Sequence, residues 1–273
     1  MQKTFDTPTP TDVYVELGSG HLDVRCEAVT QTTVDISGKD ADDVVVEQRG
    51  DQIVVLAKQR RTGFFNTSGE LSVHVTMPAS STLSTKLGSA DISVSGRLGE
   101  AMLKTGSGDG ELDEVAGNAL LETGSGDIEI DSVEGELRIK SGSGDIEIDS
   151  LGGAANISTG SGDVSIGTAN HAVQVKSGSG DMRVREARHD VALSTASGDL
   201  YVDRVHRGQL SAKNVSGDIK VGVPAGIPVW TDISSVTGSV RSNLEGAGQP
   251  EDGQDFIELR AKTVSGDVYL EQL

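Results

Sequence analysis

Thr123-Gly-Ser-Gly-Asp-Ile-Glu-Ile-Asp131 returns almost unchanged as Ser141-Gly-Ser-Gly-Asp-Ile-Glu-Ile-Asp149. The head of this phrase also opens at Thr105, Thr159 and Ser177, and as Thr195-Ala-Ser-Gly-Asp199. Asp109, Asp127, Asp145, Asp163, Asp181 and Asp199 therefore stand at one constant step of eighteen. A fixed period of that size means stacked structural repeats.

Each repeat resolves into two short alternating runs. After the aspartate come Ile128 and Ile130, Ile146 and Ile148, Val164 and Ile166, Met182 and Val184, Leu200 and Val202. Before it come Leu137 and Ile139, Val173 and Val175, Val191 and Leu193. Apolar residues at every second position read as half-buried strands. Gly-Ser-Gly makes one turn, and segments such as 131–135 and 149–153 make a looser one. A unit this small cannot bury its apolar face alone, so each strand pairs with its equivalent one coil away. The expected fold is an all-β, single-chain β-solenoid (β-helix) with coils of about 18 residues and two short strands per coil. The period leaves its handedness open.

Outward from the regular stretch the pattern loosens. A degenerate copy, Gly88-Ser-Ala-Asp91, lies one such step before Asp109. Gly18-Ser-Gly-His21 echoes the phrase with His21 in the aspartate slot. Val44 to Glu47 and Ile53 to Leu56 flank Arg49-Gly50-Asp51, a hairpin whose turn Gly50 sets. After Asp199 the period slips by one residue to Asp218, and the last copy ends at Asp267. We read one solenoid domain over 1–273, with irregular N-terminal strands as a cap over 1–77. Regular repeats fill 78–222 and degenerate coils 223–273. The strand edge near Val268 to Leu270 is the expected open end.

Composition narrows the function. The net charge of −19 opposes nucleic acid and anionic lipid, whose binding rests on Lys and Arg. Aromatic residues make up only 3%, which suits a narrow aliphatic core. Cys26 is the sole cysteine, so no intrachain disulfide forms. The N-terminus lacks an apolar signal region and no run is long enough to span a membrane. These features place the protein in the cytoplasm, with the cell surface by a non-standard route as the alternative.

The repeat, together with Met77-Pro-Ala-Ser80, resembles the bacterial putative-adhesin family of β-solenoids, whose function is unknown. The likeness runs from Val13-Tyr-Val-Glu16 to Ser265-Gly-Asp-Val-Tyr-Leu270, and it is nearest to signal-less members of actinobacterial type. The resemblance implies a solenoid and supplies no catalytic residues.

Several side-chain constellations could carry chemistry. Stacked aspartates about 5 Å apart approach the spacing of a retaining glycosidase pair and could recruit a cation, but Asp after Ser-Gly is also an ordinary turn residue. A hydroxyl column (Thr105, Thr123, Ser141, Thr159, Ser177, Thr195) is expected to bond coil to coil. Glu129, Asp131, Glu147 and Asp149 form an acidic stripe, and Lys104, Arg138, Lys140 and Lys176 a basic one on the opposite strand. His171 and His189 share a column, with His206 in the next loose turn, which is a spacing that Zn²⁺ could bridge. The basic and aromatic cluster Arg60, Arg61, Phe64 and Phe65 is the candidate partner-binding site, because exposed aromatics beside Arg anchor interfaces. No cofactor is called for. The expected role is non-enzymatic binding or scaffolding toward a protein or glycan, as a monomer or end-to-end homo-oligomer, without nucleic acid or membrane insertion. The alternatives are a structural protein that self-assembles through its ends and a polysaccharide-acting β-helix enzyme.

Overall fold

The computed structural model describes residues 1–57, 71–246, 248 and 253–273. The chain forms two compact units, Met1–Glu136 and Leu137–Leu273. In both, the repeating coils stack as parallel strands of an all-β solenoid, as the period predicts.

In the first unit the long strand Asp12–Glu27 lies parallel to Thr82–Leu98, in register from Val13↔Leu83 to Cys26↔Gly96. Thr82–Leu98 then carries Ala101–Ser107 and Gly110–Val115, and these carry Ala119–Ser125 and Ile128–Val133. Leu83, Ala101 and Ala119 form one inward column, one repeat apart. On the other side of Asp12–Glu27 stack Gln52–Leu56 and Leu71–Pro78. Antiparallel strands finish this side: Val45–Arg49 on Gln52–Leu56, Gln31–Ser37 on Leu71–Pro78, and Gln2–Asp6 on Gln31–Ser37. The hairpin at Gly50 forms as read, with Gly50 at φ +61°.

The second unit repeats the scheme. Leu137, Ala155, Val173 and Val191 make one inward column; Ile146, Val164, Met182 and Leu200 make the other. All eight are at most 6% exposed, so alternate residues of each strand fill an aliphatic interior. The one-residue slip is absorbed in the loose turn. Ala187 still faces Val205, whereas Val191 faces Leu210, one residue later than the repeat predicts. Gly208, at φ +90°, takes up the extra residue.

The C-terminal coils do not stack in sequence order. Gly208–Lys213 pairs with Ile257–Ser265, which pairs in turn with Val229–Thr237. Ile219–Val223 likewise pairs with Val268–Gln272, which pairs with Val240–Ser242. The last coil in sequence is thus slotted beneath the one before it. This corrects the expected open edge: Val268 to Leu270 is covered, and Val240–Ser242 lies outside it.

The tight turns need glycine for two separate reasons. The second glycine of Gly-Ser-Gly adopts positive φ: +124° at Gly126, +110° at Gly162, +127° at Gly180. The first does not. Its requirement is close approach, since a Cβ on Gly124 would lie 2.5 Å from the carbonyl oxygen of Gly106. At Gly180 both constraints apply, with a Cβ 2.2 Å from the Gly162 oxygen. Gly180→Ala is expected to lower stability by about 3 kcal/mol or more, measured by denaturant unfolding. Ala196→Gly, at the first-glycine slot of its coil, should change it by less than about 1 kcal/mol.

Candidate functional site

The aspartate ladder is where the repeat concentrates carboxylates, and its geometry follows from the turn. Within each unit the Oδ1 of a ladder aspartate accepts a backbone N–H from the same turn one coil on. In the first unit Asp109 donates to Asp91 at 3.1 Å and Asp127 to Asp109 at 2.9 Å. In the second, Asp163 donates to Asp145, Asp181 to Asp163 and Asp199 to Asp181, each at 2.8 Å. Asp218 donates to Asp199 and Asp267 to Asp218 at 2.7 Å; Ser239 donates to Asp267 at 2.8 Å. Each such carboxylate satisfies a backbone donor at the point where the strands part. Tyr201 and Tyr269 donate their hydroxyls to the second oxygen of Asp199 and Asp267. The bond to Asp199 pushes the Tyr201 phenol up to about 12, with burial adding to it. The N–H of Ser239, then the Tyr269 hydroxyl, holds the Asp267 carboxyl below its usual value.

The hydroxyl column behaves differently from the expectation. Thr123, Ser141, Thr159, Ser177 and Thr195 each donate to the carbonyl two residues ahead in their own coil, at 2.8 to 3.1 Å. They brace the turn from within and do not tie neighbouring coils. Strands in neighbouring coils stand about 4.8 Å apart, beyond hydrogen-bond reach for hydroxyls stacked in register.

The histidines divide. His171 and His189 stack, ring centroids 6.1 Å apart and planes inclined by 21°. The Nδ1 of His189 accepts the backbone N–H of Asp190 at 2.9 Å, which engages its lone pair. His206 turns away to Glu186, with Nε2 2.5 Å from Oε2. Among the described residues no three His, Cys, Asp or Glu side chains converge as a metal site requires. His21 is exposed and faces Asp91 across the ladder. Arg60, Arg61, Phe64 and Phe65 lie outside the described residues.

Cys26 is buried, 7% exposed. Burial, with the charge of Asp113 adding to it, pushes its thiol up to about 12. A protonated, enclosed thiol is neither nucleophile nor metal ligand.

Apolar exposure is unevenly spread. Of the eight large apolar side chains most exposed among the described residues, seven fall between Val215 and Leu273: Val215, Trp230, Val236, Val240, Phe256, Val264 and Leu273. Three of them occupy one column. Ser197, Ser216 and Ser265 bridge one another, and Thr237 pairs with Ser265. The residues just before these four, Ala196, Val215, Val264 and Val236, therefore stack where regular coils have the first turn glycine. In regular coils the strand continues through that glycine, as in Val173–Ser179. In two of the departing coils it stops sooner, at Ser194 and Lys213, and a side chain at the slot leaves the stack. Val215, Val264 and Val236 are 54%, 47% and 74% exposed. At the loose turn, at the other end of these strands, a recess of about 260 Å³ is lined by His189, Arg207, Gln209, Asp255, Phe256 and Glu258, among others. The signal for the ridge was present as Ala or Val in the glycine slot, but a repeat read for its regularity hides such departures as noise.

Parallel two-strand coils, a glycine-and-aspartate turn and an aliphatic interior define a β-solenoid built from one repeated motif. The sequence profile of the Toastrack DUF4097 family matches residues 13–184 and 167–271, and the chain belongs to that family. No curated protein sequence matches it. Among solved structures, the chain is similar to a putative adhesin from Bacteroides fragilis, with 14% identity over 100% of this chain and 96% of that one and a TM-score of 0.41. A putative adhesin from Parabacteroides distasonis shows 13% identity, the same two coverages and a TM-score of 0.32. A protein from the same species described as a putative lipid binding protein shows 14% identity over 98% and 96%, with a TM-score of 0.34. Among the described residues no helix is long and apolar enough to cross a membrane.

Three measurements check the site. Asp163→Asn keeps the Oδ1 acceptor and should leave the melt nearly unchanged, whereas Asp163→Ala should cost about 1 kcal/mol or more. Millimolar Ca²⁺ should not raise the melting temperature of the wild type; equal loss in both variants, or a Ca²⁺-dependent rise, would show that the charge itself matters. Cys26 should not react with a thiol reagent at pH 8 in the native protein and should react fully after unfolding. Because its folded value lies above the unfolded one, its stabilising contribution is complete below the unfolded value and fades as pH rises toward about 12.

Proposed function

We propose that the protein is a non-enzymatic binding or scaffolding module of the adhesin type whose contact surface lies on its C-terminal coils. The observation that carries this reading is the concentration of exposed apolar side chains there, seven of the eight most exposed among the described residues, with Val215, Val264 and Val236 aligned as a ridge. Exposed apolar clusters rimmed by polar groups mark interaction surfaces. Repetition argues against the enzyme alternative, because a catalytic centre needs one distinguished constellation. The carboxylates along the ladder instead share one backbone-accepting task, which supports a structural role for them. The partner that fits the valine ridge is a protein with an apolar patch, since valines offer a glycan neither a stacking ring nor a hydrogen bond, and the exposed Trp230 ring is faced by the Arg260 guanidinium at 5.8 Å.

The double variant Val215→Ser, Val264→Ser removes two ridge side chains at exposed positions, so folding is kept. Binding to partners captured with tagged protein from the native cell, then purified, is expected to weaken at least tenfold by biolayer interferometry. Unchanged affinity would move the contact surface elsewhere. Turnover of a polysaccharide that Asp163→Asn abolishes would replace this reading with the enzymatic one.

A further inference from the structure

The outermost coil of the second unit, Val229–Thr237 with Val240–Ser242, has a strand partner on one side only among the described residues. In a parallel pair, alternate residues aim both backbone groups at the same neighbour. Ile257 donates to the carbonyl of Pro228, so residues 228, 230, 232 and 234 face inward to Ile257–Ser265. Val229, Thr231, Ile233 and Ser235 are left aiming their N–H and C=O groups outward. Their side chains continue the columns of Ile257, Leu259, Ala261 and Thr263, which are at most 4% exposed. At the outermost coil nothing covers them to that degree: Thr231 and Ser242 are exposed, and Val240 is 49% exposed.

This edge lacks the usual protection. Natural proteins blunt open strands with lysine, proline, bulges or inward charges. Residues 227–243 hold one acid, Asp232, and one base, Arg241. Both are paired within the chain, Asp232 to Lys262 at 3.0 Å and Arg241 to Asp267 at 3.8 Å. The coil is neutral in a chain of net charge −19, so two copies of it do not repel. It is also an internal segment tethered at both ends, because the chain returns to insert 257–272 beneath it. It cannot fray as a free terminus would.

The outermost strands of the first unit are built differently. In Val45–Arg49 the inward Val46 is 2% exposed, and Gln2–Asp6 lies over a strand whose Val34 and Ile36 are 1% exposed. Charged residues (Lys3 and Asp6, Glu47 and Arg49) line those strands. They offer no complement to an open, neutral coil. The surface that does is the same coil on another copy.

We infer that the protein forms a two-fold dimer in which the edges of Val229–Thr237 and Val240–Ser242 pair antiparallel with those of a second chain. A two-fold axis perpendicular to the strands reverses their direction, so each edge meets its own copy antiparallel. An isologous contact consumes the patch on both copies and stops at two, unlike an end-to-end filament. Hydroxyls of Thr231, Ser235 and Ser242 meet across it as hydrogen-bonding cross-strand neighbours.

Sedimentation equilibrium of the full chain over a concentration series tests this. The expected limiting mass is twice the 28.3 kDa of the single chain. Thr231→Lys and Val240→Lys, one on each strand, should each weaken association at least tenfold, with the far-UV spectrum and melt retained. The ridge variant Val215→Ser, Val264→Ser should keep the dimer, so this inference and the proposed contact ridge can fail separately. A monomer at every soluble concentration would overturn the inference. So would a mass that climbs past the dimer, or folded lysine variants that still dimerise. If a lysine variant unfolds, wild-type amide exchange decides: the Thr231 and Ile233 amides must slow as the dimer forms, and unchanged rates would place the contact elsewhere.

Discussion

Parallel strands one coil apart run about 4.8 Å from each other, and at the tight turn nothing but backbone fits in that gap. A Cβ on Gly126, Gly162, Gly180, Gly198 or Gly217 would lie 2.1 to 2.4 Å from the carbonyl oxygen of the glycine one coil earlier. These five coils therefore carry glycine at that slot, and Ala90 in the degenerate copy Gly88–Asp91 is the departure from it. The aspartate after the slot then finds the next coil's N–H at 2.7 to 3.1 Å and accepts it. Glycine sets the approach and aspartate closes the hydrogen bonding. Because the tight turn cannot change length, irregularity is pushed to the loose one. The extra residue of the slipped coil is taken up around Gly208, where Asp190 accepts the N–H of Gln209 as the ladder aspartates do.

The columns were legible in the sequence because a strand period of two and a constant coil period fix which residues face inward. Ile128 and Ile130, or Val173 and Val175, needed no structure to be placed. Stacking order was not legible. The coils 229–242 and 257–272 share the same alternation, and either could lie on 208–223. Solvent exposure decides between them. Leu259 and Leu270 occupy columns where the other coil has Thr231 and Ser242. The coil with hydroxyls bears the outer position at lower cost, since they remain hydrated there.

The candidate site was half legible for a related reason. Aspartates at regular steps draw attention as chemistry, yet their regularity is what the turn demands of every coil. The departures carry more information. Ala196, Val215 and Val264 break the glycine slot, and with Val236 they form the exposed ridge. The His171–His189 stack was foreseeable from its column, while the turn of His206 toward Glu186 depends on side-chain reach that spacing does not encode.

That the aspartates are backbone acceptors is the centre of this account, and amide hydrogen exchange reads it directly. The N–H groups of Asp127, Asp163 and Asp181 lie on exposed residues, where an unbonded amide exchanges freely. Bonded to the preceding carboxylate, they should exchange as slowly as amides within the neighbouring strands, and at the same rate with or without Ca²⁺. Fast exchange at these three residues, with protected strands on either side, would contradict the account.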